Sequence, residues 1–117
     1  MPPAASHGEA VVYVAAPDGT AHISFAAAQS RALSSPRRAG DLAAQHPATY
    51  VAFGVLAHPA AGLPDLRPHP YTERRQVLQD VLAGIGPPIE PVWSTTDRDE
   101  ALLWYTALEG TGVEGLL

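Results

Sequence analysis

The sequence contains neither lysine nor cysteine, and its basic charge rests on seven arginines against 12 acidic residues, a net charge of −5. Without cysteine there can be no disulfide framework, thiolate metal centre or cysteine nucleophile. Without lysine there can be no covalent step through a side-chain amine. Arginine cannot take its place, because the guanidinium stays protonated and attacks poorly. The acidic balance runs against a basic face that tracks phosphates. Only Arg37-Arg38 and Arg74-Arg75 are clustered, and both pairs fit solvated helix faces. No apolar run approaches the ~20 residues that cross a bilayer. Met1-Pro2-Pro3-Ala4-Ala5 lacks the basic and long apolar segments of a signal peptide. The expectation is a cytoplasmic protein with no membrane partner. A glycine-rich phosphate loop and a Ser/His/Asp order are also missing. His7, His22, His46, His58 and His69 form no pair at metal-binding helical spacing.

What is present is a pattern of short elements. With 117 residues and a hydrophobic fraction of 46%, the chain can form one domain with a modest core. Residues 1–6 read as a loose end. Residues 9–15 have the β-branched and aromatic content of a strand, Pro17-Asp18-Gly19 is a turn, and residues 21–25 return as the second arm of a hairpin. Residues 25–33 predict a short helix. Ser35-Pro36 supplies an N-cap and a first-turn proline for another helix reaching about Gln45. Residues 49–57 are nearly all apolar and read as a buried strand. Alternation puts Val51, Phe53 and Val55 on one of its faces and Tyr50, Ala52 and Gly54 on the other.

A loop with four prolines (Pro59, Pro64, Pro68, Pro70) precedes a helix from Tyr71 to about Ala83. Residues 89–94 predict a strand after Pro87-Pro88. Thr96 with Asp99, or Asp97 with Glu100, forms a capping box for a helix that would bury Ala101, Leu102, Tyr105 and Leu108. Residues 113–117 begin a strand and stop without a cap, as a truncated element would. Without strict strand–helix alternation, the fold class is α+β, with a mixed or largely antiparallel sheet and flanking helices.

Two residues invite a chemical reading. Glu9 opens a strand, where a carboxylate can accept from a sugar hydroxyl or hold a hard cation; the plain alternative is an exposed surface carboxylate. Phe53 offers an aromatic face to a flat ring; the plain alternative is a core phenylalanine.

The order of short motifs adds to this. His7-Gly8-Glu9, the strand Tyr50-Val51-Ala52-Phe53-Gly54, Leu66-Arg67-Pro68-His69-Pro70-Tyr71-Thr72-Glu73-Arg74-Arg75 and, after residues 96–102, Gly112-Val113-Glu114-Gly115-Leu116 follow one another along the chain. In that order they resemble the central part of the adenylation domain of bacterial ATP-dependent DNA ligases. The resemblance covers nearly all of this chain and about half of such a domain. That family runs lysine-x-Asp-Gly, Asp-Gly-Glu, Tyr-x-x-Phe-Asp, Glu-Gly-hydrophobic and a lysine pair. Two of its aspartates are replaced here, by His7 and Gly54, and both lysine elements are missing.

The resemblance implies ATP and Mg²⁺ as cofactors and nicked DNA as partner, in the sealing of nicks during repair and replication. It implies that Glu9 and Phe53 bind the nucleotide, with Phe53 stacking on adenine, and that Glu9 and Glu114 hold the metal. It also implies that no catalytic nucleophile is left, so this chain alone should not adenylate itself. The reading is thus a single partial adenylation domain. The alternatives are a non-catalytic nucleotide-binding or interaction module, or one half of a split ligase. A sheet lacking strands should leave Val51, Val55 and Leu116 partly uncovered, and a second copy or a partner chain would cover them.

Overall fold

The structure is a computed structural model that describes residues 4–111, 113 and 115–117. In chain order its elements are β1 (Ala5–Ala15), β2 (Ala21–Ile23), α1 (Phe25–Ala32), α2 (Pro36–Gln45), β3 (Ala48–Ala57), α3 (Tyr71–Leu82), β4 (Ile89–Pro91) and α4 (Arg98–Ala107). The strands hydrogen-bond in the order β2-β1-β3-β4. Pairing is antiparallel between β1 and β2 and parallel between β3 and β4. Four helices and a mixed four-stranded sheet make this an α+β fold, as expected.

The chain divides into two compact units. The first comprises the residues up to Ala10 together with Thr49–Val92; the second comprises Val11–Ala48 with Trp93–Leu117. Strand β1 contributes to both.

In the first unit the core is Ala52, Val55, Leu66 and Leu78, each no more than 1% exposed, with Tyr50, Leu63, Val77 and Val81 packed around it. Leu66 and Leu78 are the largest side chains fully buried there; burying each is worth roughly 1.5–3 kcal/mol. The proline-rich loop does not simply cross the surface. It forms a single 3-10 turn at Pro59–Ala61 and then runs back along β3, where the Leu66 amide donates to the Leu56 carbonyl at 2.8 Å. That return covers Val55. Burial along β3 therefore does not follow a single face: Ala52, Gly54 and Val55 are buried, while Phe53 and Leu56 are exposed. Val55, expected to be partly uncovered, is 1% exposed. Beyond α3, a cis Pro87–Pro88 bond leads into β4. There Tyr50 N–H donates to Pro88, Val92 N–H donates to Ala52 and Ile89 N–H donates to Gly86.

In the second unit the hairpin forms as predicted, with Tyr13 opposite Ile23 and Ala15 opposite Ala21. Gly19 adopts φ 85°, a left-handed conformation that glycine reaches without a Cβ penalty. Its N–H closes the turn onto Ala16. Helix α2 starts as the sequence indicates, with Pro36 in the first turn and the Ser35 hydroxyl accepting from Arg38 N–H. Val11 and Val12 are buried, and α1 packs against α2.

Helix α4 is capped by Asp97, whose carboxylate accepts from the amides of Asp99 and Glu100. The second half of the expected box is altered, because Glu100 accepts from the Thr95 hydroxyl at 2.7 Å. The buried face of α4 also differs from expectation. Ala101, Trp104 and Leu108 are half-buried, whereas Leu102 and Tyr105 are 47% and 57% exposed. The side chain that turns the helix is Trp104, stacked at a tilt on Trp93 with ring centroids 5.4 Å apart.

Several boundaries differ from the sequence reading. Strand β1 starts four residues before Glu9, taking in Ala5 and Ser6 of the expected loose end. Strand β4 ends at Pro91 rather than Ser94. Residues 113 and 115–117 form no strand.

Candidate functional site

Two of the residues singled out in the sequence, Glu9 and Phe53, lie on the neighbouring strands β1 and β3. The approach is close because residue 8 is glycine: a Cβ at Gly8 would overlap the Val51 carbonyl and meet the Tyr50 ring and Ala52 Cα. A hydroxyl pair, Ser6 Oγ and Tyr50 Oη, spans the strands at 3.3 Å.

His7 crosses to the neighbouring strand. Its ring stands at 84° to that of Phe53, with centroids 5.9 Å apart. A Cβ at Gly54 would lie 2.8 Å from His7 Nε2, so the imidazole occupies the space that a side chain at position 54 would take. Phe53 remains 41% exposed. It is therefore not a core phenylalanine; Leu56 is likewise exposed, while Ala52, Gly54 and Val55 are buried. Glu9 is exposed, and the alternation of β1 puts it on the same side as His7.

Glu114 lies outside the described residues. Among the described residues, no group of three or more His, Asp or Glu side chains could hold a metal ion. Glu9 alone does not make a magnesium site.

Two sequence comparisons bear on this geometry. The chain is 36% identical over 96 residues to DNA ligase C2 of Mycolicibacterium smegmatis, an alignment covering 82% of this chain and 26% of that protein. It is 33% identical over 99 residues to DNA ligase C of Mycobacterium tuberculosis, covering 81% of this chain and 27% of that protein. The chain is related to the DNA ligases. It spans about a quarter of the length of these two relatives. No family model and no solved structure matches it.

Elsewhere in this ligase-related chain the arginine pairs behave differently from each other. Arg37 and Arg38 are exposed on α2, as expected of a solvated face. Arg74 and Arg75 are not free on α3. The Arg74 guanidinium sits 5.5 Å from the Tyr71 ring centroid and donates to the His69 carbonyl at 3.0 Å. Arg75 has its Nη1 shut away from solvent without a hydrogen-bond partner. Two acids with lowered pKa lie at turns. Hydrogen bonds from the Thr20 side chain and then its amide hold Asp18 below its ordinary value. Those from the Arg67 side chain and amide bring Asp65 down to about 2.

Sequence reasoning missed His7, which it treated only as a replaced aspartate. The available signal was its spacing: two residues before Glu9 on one strand, they share a face. No helix among the described residues is long and apolar enough to cross a membrane.

Proposed function

We propose that this chain is the nucleotide-pocket portion of a DNA ligase-type adenylation domain, and that it binds a purine nucleotide without transferring it. The observation that carries the reading is the half-exposed Phe53 ring beside His7, with the exposed Glu9 two residues further along β1, in a chain 36% identical to a DNA ligase over 96 residues. Phe53 would supply the stacking face, where dispersion and the ring quadrupole favour a purine. Glu9 would accept from a ribose hydroxyl. The reaction of the family starts from a lysine amine, and this sequence has none. No lysine amine is present to form the lysyl phosphoramide that would hold AMP. The role left to the chain is to bind and orient the nucleotide.

The test incubates the purified chain with ATP and Mg²⁺ and reads two signals. Intact mass reports any covalent AMP, and a two-dimensional NMR titration reports binding. Shifts centred on Glu9 and Phe53 with no mass increase are the expected outcome. An AMP adduct would refute the missing-nucleophile argument, and dispersed peaks with no shifts would refute nucleotide binding.

A second reading, half of a two-chain ligase, draws on the second unit. Phe25, Leu33, Trp93 and Leu103 are each at least 65% exposed there, an apolar surface of the kind a partner covers. Co-expression with a lysine-bearing chain, followed by a nick-sealing assay, separates the two readings.

A further inference from the structure

Phe53 and His7 form a corner rather than a flat platform, because their rings stand at 84°. One wall is a hydrocarbon face suited to stacking. The other carries two ring nitrogens, which in neutral imidazole are one donor and one acceptor. His7 is exposed; Nε2 is the ring atom nearest the Gly54 position and Nδ1 is not among the three nearest, so Nδ1 is the nitrogen offered to a ligand. The corner persists because residue 54 has no side chain. With Nε2 only 2.8 Å from the position of a Cβ there, any other residue would push the imidazole off its seat.

We infer that His7 is a specificity-determining residue, which reads the polar edge of a planar nitrogen heterocycle stacked against Phe53. Gly54 holds it in place to do so. The inference rests on the nucleotide reading above and names the group that selects the base. A purine satisfies both walls: its ring face meets Phe53, and its ring nitrogens and exocyclic group lie in the plane where a hydrogen bond to imidazole can form. A hydrocarbon ring of the same size satisfies only the first wall. A single such hydrogen bond separates the two by about tenfold in affinity.

The test is an NMR titration of the 117-residue chain with ATP, run on the wild type, His7→Phe and His7→Asn. Phenylalanine keeps a ring beside Phe53 and removes the hydrogen bond; asparagine keeps a polar group near the Nδ1 position. Affinity should fall about tenfold in H7F and recover largely in H7N. Equal affinity in H7F and wild type, with shifts at Phe53 in both, would overturn the role of His7 and leave nucleotide binding intact. Absence of shifts at Phe53 in the wild type would overturn both.

A ligand-free measurement accompanies it. Gly54→Ala should abolish the nuclear Overhauser contact between the His7 and Phe53 rings, and its persistence would overturn the positioning role of Gly54. Should H7F lose its dispersed spectrum, H7A replaces it in the same titration with the same two outcomes.

Discussion

Gly8 lies so close to the carbonyl of Val51 that the addition of one methyl group would overlap it. The obstacle is backbone in the neighbouring strand, so it cannot rotate aside as a side chain would. Gly8→Ala is expected to destabilise the chain by about 1–3 kcal/mol, the range for overpacking. Thermal unfolding followed by circular dichroism measures it. A variant with the wild-type midpoint would mean that β1 and β3 can move apart without loss.

Leu78 and Leu102 make a second, paired prediction. Leu78 is 0% exposed, whereas Leu102, which the helical repeat of α4 reads as buried, is 47% exposed. Leu78→Ala should cost about 2–5 kcal/mol by removing core contacts and leaving a cavity. Leu102→Ala should stay within about 0.5 kcal/mol, as surface substitutions do. Urea denaturation of both variants decides whether the α4 face is assigned correctly.

The cap of α4 gives a third. The Asp97 carboxylate accepts from the amides of Asp99 and Glu100 at 2.9 and 3.3 Å. Asp97→Ala leaves both donors to water and should cost about 1 kcal/mol, whereas Asp97→Asn should lose much less. Equal unfolding midpoints for the wild type and the alanine variant would mean that the cap contributes nothing.

Much of the local structure was legible because it depends on local chemistry. The Ser35-Pro36 start of α2, the Asp18-Gly19 turn and the Asp97 cap all appear where their residue types place them. The failures share a different cause. Leu66 sits in a proline-rich loop with no periodicity, so nothing local marks it as core; its burial comes from the return of that loop along β3. Leu102 follows the helical repeat, but the Trp93–Trp104 pair decides which face of α4 turns inward. At the candidate site, Glu9 and Phe53 stand out by chemical type and motif order. The position of the His7 ring is not legible in the same way, because it packs across the strand boundary, over Gly54.

The loop ahead of α3 supplies a pH-dependent prediction. Asp65 accepts from the Arg67 side chain through both carboxylate oxygens at 2.9 Å and from the Arg67 amide at 3.0 Å. These bonds lower its pKa from 3.8 to about 2. A carboxylate depressed in the folded state stabilises that state above its unfolded pKa. The contribution is then lost as pH falls from 3.8 through about 2. The pair is exposed, so the effect on overall stability is small. The carboxyl carbon of Asp65, followed by NMR against pH, should titrate near 2 in the wild type and return toward the ordinary aspartate range in Arg67→Ala. An unchanged midpoint in that variant would remove Arg67 as the cause.

Strand β4 leaves nothing for another strand to accept. Pro91 has no N–H, and Ile89 has already given its own to Gly86. Pro88 and Val92 bond toward β3, and the same alternation turns the Glu90 amide inward. The outward rim of β4 therefore presents acceptors without donors, and a ladder needs both. On this side the sheet cannot extend a two-way ladder into a second copy or a fibril; a strand arriving there could donate hydrogen bonds but receive none.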